Sequence, residues 1–176
     1  MGQEPFGDVA GSPEDVPDAD PASVAREIAL RQLTVRARSR AELERALARK
    51  RVPAEVTSAV LDRLEEVGLV DDATFARDWL AAGDRRQKSR RALLAELAEK
   101  GVDRDVVEEA VAELDGDRDY VVARGFAERK ARSLAGLDPQ AQYRRLAGAL
   151  ARRGFSAGVV AQVTREVLAE LPELAE

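Results

Sequence analysis

Cysteine and histidine are both absent from the 176 residues. Their absence excludes disulfides, thiolate nucleophiles, Cys/His zinc sites and every catalytic triad built on imidazole. It also leaves the redox compartment unread. Aromatic residues make up only 4%, and the single tryptophan, Trp79, falls on an apolar helical face, where it reads as core and not as a base-stacking platform. No apolar run approaches the roughly 20 residues that span a bilayer, and the start of the chain lacks the basic-then-apolar pattern of a signal peptide. The stretch from Gly83 through Arg91 lacks the spacing of a phosphate-binding loop. Asp71-Asp72 is the one acidic pair at a tempting position, and it reads as a helix N-cap plus a complement to the helix dipole. The expectation is a cytoplasmic protein without membrane partner, cofactor, metal or catalytic site, and so not an enzyme.

What is present is 35% charged and 45% hydrophobic residues, dominated by Ala, Arg, Glu and Leu. These side chains lose little rotamer freedom in a helix. Valine, the one frequent β-branched residue, sits at helical spacing and does not alternate. The net charge is −5, but it is unevenly spread. Residues 1–23 carry six acids and no base, with four Pro and three Gly, a composition that predicts disorder. Residues 26–51 are strongly basic, as are 85–91 (RRQKSRR) and 118–153, while acids gather in 55–72, 96–117 and the last eleven residues. Local sign matters more than total sign for docking on a charged partner.

One pattern occurs three times: ARKRVPAEVTSAVLDRL at 48–64, AEKGVDRDVVEEAVAEL at 98–114 and ARRGFSAGVVAQVTREV at 151–167. Each is the end of one amphipathic run, a tight turn, and a second amphipathic run. Superposed without gaps, Leu43, Leu93 and Leu146 match, as do Leu47, Leu97 and Leu150; Val52, Val102 and Phe155; and Val56, Val106 and Val159. At the turn Arg51 stands where the other copies have Gly101 and Gly154. The spacing predicts a left-handed backbone there, which Gly adopts freely and Arg at a cost of about 1 kcal/mol.

Cap and stop signals divide the rest of the chain. A first helix is expected over 24–35, burying Val24, Ile28, Ala29 and Leu33. Ser39 and Glu42 form a capping box ahead of Leu43, Ala46 and Leu47. A third helix from Pro53 or Ala54 buries Val56, Val60, Leu61 and Leu64 and ends at Gly68. Asp71 caps the next run, with Val70 stapled to Phe75 and Gly83 as its end. Ser89, Asp103 and Ser156 open later helices, Pro139 fits a first helical position, and Pro172 stops the last. The expected organisation is an acidic disordered tail (1–23) and three three-helix modules at 24–68, 69–116 and 117–176. Such modules stack, each hiding a face against its neighbour, into an elongated all-α array.

The ordered motifs LVDDATFARDWL (69–80), RRALLAELAEKGV (90–102), ERKAR (128–132) and RRLAGALARRGFS (144–156) resemble those of the bacterial RecX regulatory proteins, over about residues 24–168. The resemblance implies an elongated, curved molecule that binds the RecA recombinase filament on single-stranded DNA. It implies inhibition of ATP hydrolysis, strand exchange and co-protease activity, and thereby control of homologous recombination, DNA repair and the SOS response. It also allows direct contact with single-stranded DNA, and a monomer is expected. The candidate contacts are Arg85, Arg86, Lys88, Arg90 and Arg91, with Arg144, Arg145, Arg152 and Arg153. Arg77 is either a further contact or a structural salt-bridge donor. Phe75, Trp79, Leu97 and Phe155 are assigned to the core. Two rival readings remain: a helix-turn-helix DNA-binding protein, weakened because the third helices open with the acidic or bland PAEV, DRDV and SAGV, and a helical scaffold with no DNA link.

Overall fold

A computed structural model describes residues 20–170. The acidic segment before Asp20 and the stop expected at Pro172 lie outside the described residues. Within them the chain forms nine helices and no strand: α1 Pro21–Val35, α2 Arg40–Arg49, α3 Ala54–Glu66, α4 Asp72–Arg85, α5 Arg90–Lys100, α6 Arg104–Ala112, α7 Arg118–Arg132, α8 Pro139–Arg152 and α9 Ala157–Ala169. They fall into three successive triplets, each packed round its own apolar cluster.

The first helix starts earlier than expected. Asp20 accepts from the Ala22 amide as N-cap, and Pro21 takes a first-turn position where its missing N–H costs nothing. Residues 21–23 are therefore helical and not part of a tail. Ala25 and Ala29 are fully buried, Ile28 and Leu33 flank them, and Val24 is 38% exposed. Two small residues at i, i+4 let α1 lie close on α2 and α3. Elsewhere the caps fall where the sequence puts them. Ser39 and Glu42 form a reciprocal capping box. Asp71, Ser89, Asp103 and Ser156 each accept a backbone N–H of their helix, and Asp138, read as loop from the sequence, does the same for α8. Gly68 is left-handed at φ 71°.

Two readings are corrected. Gly83 does not end α4, which runs two residues further; it is buried against Leu93, and a Cβ there would collide with that side chain. A helical glycine signals close packing here, not termination. Val70, expected as a staple on Phe75, is 2% exposed within the first cluster, alongside Leu61 and Leu64.

The triplets are joined by two equivalent contacts. At the first joint, Ser39 is fully buried; its Oγ accepts from the Glu42 amide and donates to the Lys100 carbonyl at 2.7 Å. The Arg40 amide donates to Asp72 Oδ1 at 2.9 Å. At the second joint, fifty residues on, Ser89 is also fully buried; its Oγ caps α5 and its amide donates to the Arg153 carbonyl at 3.1 Å. The Arg90 amide donates to Asp119 Oδ1 at 2.8 Å. The start of each module's middle helix thus seats on the turn between the second and third helices of the next.

That seating explains the glycines. Arg51, Gly101 and Gly154 all have positive φ, at 60°, 78° and 86°. A Cβ on Gly101 would lie 2.5 Å from Ala41 Cβ, and one on Gly154 would lie 2.7 Å from Ser89 Oγ. Arg51 bears only the backbone strain, because no described module seats on its turn. Gly101→Ala and Gly154→Ala therefore combine left-handed strain with overpacking and should each cost about 2–4 kcal/mol. Arg51→Gly should shift stability by no more than about 1 kcal/mol, relief of strain being offset by the entropy of glycine. Urea midpoints of the three variants check this ordering, and equal losses at 51 and 101 would contradict it.

Candidate interaction surface

The basic stretch 85–91 divides by function within the fold. Arg86 and Lys88 point inward. Arg86 pairs with Glu96 at 3.0 Å, donates to the Trp79 carbonyl at 3.1 Å, and lies 4.3 Å from the centre of the Trp79 ring. Lys88 pairs with the other Glu96 oxygen, and Trp79 Nε1 donates to Glu96 at 2.9 Å. Burial pushes the Glu96 carboxyl up, but Lys88, Trp79 and Arg86 outweigh it and hold the group below its ordinary range. These side chains clamp α4 to α5. Trp79 is half-buried at the edge of the second cluster, with a second cation, Lys100, 4.1 Å from its ring.

Arg90 belongs to the second joint, where its guanidinium also donates to the Asp115 carbonyl at 2.8 Å. Arg153 lies 3.9 Å from the Phe126 ring centre, and its carbonyl receives Ser89. Four of the nine candidate cations are thus engaged inside the protein. Arg85, Arg91, Arg144, Arg145 and Arg152 are exposed and make no ion pair among the described residues. Arg77 is exposed and donates to Thr74 Oγ1 at 3.1 Å, with no ion pair among the described residues.

Exposed cations without an ion pair among the described residues also stand outside that set, among them Arg26, Arg132 and, at the turn of the first module, Arg49, Lys50 and Arg51. The repeat superposition carried the signal, since Arg49 occupies the position of Arg152. The free cations therefore lie on all three modules, among them Arg49, Lys50 and Arg51, then Arg85 and Arg91, then Arg144, Arg145 and Arg152.

Between the first two modules runs a chain of alternating charges. Arg36 pairs with Glu42 at 2.8 Å, and Glu42 pairs with Lys100 at 3.2 Å. Arg45 adds hydrogen bonds to the Glu99 and Lys100 carbonyls. Burial pushes the Glu42 carboxyl up, but Arg36 and Lys100 overcome it and bring it down to about 2. Asp72 is different: burial pushes its carboxyl up, against the bond from the Arg40 amide. At the far end, Arg124 pairs with Glu128 at 3.0 Å, Glu166 at 3.5 Å and Glu170 at 2.5 Å, tying α7 to α9. Among the described residues no group of His, Cys, Asp or Glu could hold a metal, and no helix is long and apolar enough to cross a membrane. What the surface offers is separated cations on a jointed support.

Comparison with known proteins follows the same division of the chain. Residues 25–64 match the RecX first three-helix domain, 71–111 the second and 117–164 the third. Regulatory protein RecX of Streptomyces coelicolor is 43% identical over 155 residues, covering 88% of this chain and 82% of the relative. Regulatory protein RecX of Mycobacterium avium is 47% identical over 150 residues, covering 84% of each. In fold, the crystal structure of RecX from Lactobacillus salivarius superposes with a TM-score of 0.72 at 21% identity, over 85% of this chain and 97% of that one.

The Glu42 pairs make the first joint sensitive to acid. The folded carboxyl titrates at about 2 against an ordinary 4.5, so its contribution is complete above the ordinary value and is lost as pH falls towards the folded one. In urea titrations, Glu42→Gln should be less stable than the parent chain at neutral pH, and the two should converge between about pH 5 and pH 2. A gap that stays constant over that range would show that the ion pairs contribute nothing.

Proposed function

The chain belongs to the RecX family of regulatory proteins, and from that premise we propose that it binds the RecA recombinase filament on single-stranded DNA and restrains it. As a cytoplasmic monomer it lowers ATP hydrolysis, strand exchange and co-protease activity by occupancy, with no chemical step of its own. Recombination, DNA repair and the SOS response are the processes it would temper.

The observation that carries this reading is the placement of free cations on all three of the serially joined modules. A helical polymer of protein and nucleic acid presents the same acidic and phosphate groups again and again. A jointed array reaches several of them at once, and each later contact forms at high effective concentration. Contacts of this type are individually small, so affinity comes from their number. Phosphate and carboxylate both serve as acceptors, and either gives binding that weakens as salt rises. Binding opposes a change of filament state only by as much as the array prefers one state over the other.

Titrating the protein into RecA hydrolysing ATP on single-stranded DNA should lower the rate at micromolar or smaller concentrations, and an unchanged rate would reject the proposal. The surface assignment has its own test. Replacing Arg85, Arg91, Arg144, Arg145 and Arg152 together by Ala should raise the half-inhibitory concentration at least about tenfold, equivalent to about 1.4 kcal/mol spread over five contacts, while helical circular dichroism is retained. Full inhibition by that variant would move the contact surface elsewhere.

A further inference from the structure

In two of the three modules the turn between the middle and last helices is covered. Lys100-Gly101 receives Ser39, Ala41 and Arg45 of the first module. Arg153-Gly154 receives Ser89 and Ala92 of the second. The equivalent turn of the first module, Arg49-Lys50-Arg51, receives no module among the described residues. Its three side chains are exposed, without an ion pair or side-chain hydrogen bond among the described residues. Beside it runs a groove of about 300 Å³ lined by Glu44, Ala48, Val52, Ala54, Thr57 and Ser58. The groove is built by the repeat: the positions fifty residues later line a second one, of about 330 Å³. Glu44, the one acid in the first groove, is already engaged by Arg40 at 3.1 Å.

The contacts of the first module show which part of the chain enters there. Arg36, just past α1, pairs with Glu42 in the first turn of α2, and Arg40 pairs with Asp62 and Glu65 late in α3. These gather the end of α1, the start of α2 and the end of α3 together. From that end α1 runs back about 22 Å to its start at Pro21. The segment before Asp20 joins the fold at the start of α1. It carries Glu4, Asp8, Glu14, Asp15 and Asp18, no Lys or Arg, and one aromatic residue, Phe6. Fourteen residues separate Phe6 from Asp20, a reach of up to about 46 Å, more than twice the length of α3, which is about 20 Å.

We infer that residues 1–19 dock on the chain's own first module, with their carboxylates against Arg49, Lys50 and Arg51 and the Phe6 ring in the groove over Ala48, Val52 and Ala54. The segment takes the place that a preceding module holds on the other two turns. Each ion pair is weak, but tethering holds the acids at millimolar effective concentration. The docked segment is an internal polyanion that screens the first module's cations until a stronger acidic or phosphate-rich partner displaces it. This docking does not depend on what the rest of the array binds.

The absence of native cysteine allows a direct test in the full chain. A nitroxide on Ala10→Cys should broaden the amide resonances of residues 48–58 in dilute, low-salt solution. The broadening should vanish near 1 M salt, where the screening length is about 3 Å, and in Arg49→Glu/Lys50→Glu, which leaves the left-handed residue 51 untouched. Phe6→Ala should weaken it. Unperturbed resonances at 48–58 in low salt, or broadening that survives the charge reversal, would overturn the inference. So would broadening that grows with protein concentration, because that is contact between copies. Unchanged circular dichroism of the variants shows that a lost signal is not lost folding.

Discussion

The structure depends on a buried serine at the start of each middle helix. Ser39 and Ser89 each cap their own helix, satisfying an amide that the helix cannot, and each also bonds to the turn of the next module. The same residue therefore serves secondary structure on one side and tertiary structure on the other. A serine buried without both partners would carry an unmet polar group at a cost of about 1–3 kcal/mol. Helix start and module docking consequently favour each other, and no described core cluster is shared between triplets. Stability in such a chain is a sum of module terms and joint terms. The joints are mostly hydrogen-bonded contacts, so they fix direction more than they add apolar burial.

The same economy governs the charges. A surface this rich in arginine invites reading every cluster as a binding patch, yet the cations divide by what is beside them. Arg86 and Lys88 face Glu96, Arg118 is 6% exposed between Asp84 and Asp119, and Arg40 meets Glu44, Asp62 and Glu65. Arg40 with Asp62 and Glu65, Arg118 with Asp84, and Arg86 and Lys88 with Glu96 join base and acid from different elements, and the pairing holds helices together. Cations on the outward faces of α5 and α8 have no acid opposite them. These, with Arg49, Lys50, Arg51 and Arg85, retain the capacity to exchange water and counterions for a partner's anions. The net charge of −5 says nothing about this, because it adds paired and unpaired groups alike.

Much of this was legible in the sequence and some was not, for definite reasons. Local chemistry was readable: the Ser39–Glu42 capping box and the Asp71 cap follow from residues within four positions of one another, and the left-handed Arg51 follows from the glycines at its place in the other two copies. The apolar stripes gave the cores, since leucines at i, i+4 have few other places to go. Val24 was misplaced because the helix was started three residues late, which hid the Ala25–Ala29 face. Gly83 was misread because glycine in a helical pattern most often marks its end. The joints were invisible because a serine that caps looks the same whether its hydroxyl has a second partner or not, and for Ser39 that partner is 61 residues away. For the cations, the sequence gives position but not the acid across the helix interface. The cluster at 85–91 therefore looked uniform while the fold divides it.

The outer modules differ from the middle one in which half of the joint they carry. A joint needs a serine followed by an arginine whose amide meets an acid, and a turn with no side chain in the way. The first module has the former but not the latter, since Arg51 carries a Cβ where the other two turns need glycine. The third module has the latter but not the former. In the superposition Gln142 stands in the place of Ser39 and Ser89, and its amide donates back to the Leu134 and Ala135 carbonyls of its own module. Tyr143 replaces the arginine. Each outer described module thus lacks one half of the contact that links the middle. Arg51 in the first module, and Gln142 with Tyr143 in the third, leave two joints between the three described modules, and joints fixed in number and direction are what let a set of weak, spaced cations act in a fixed register.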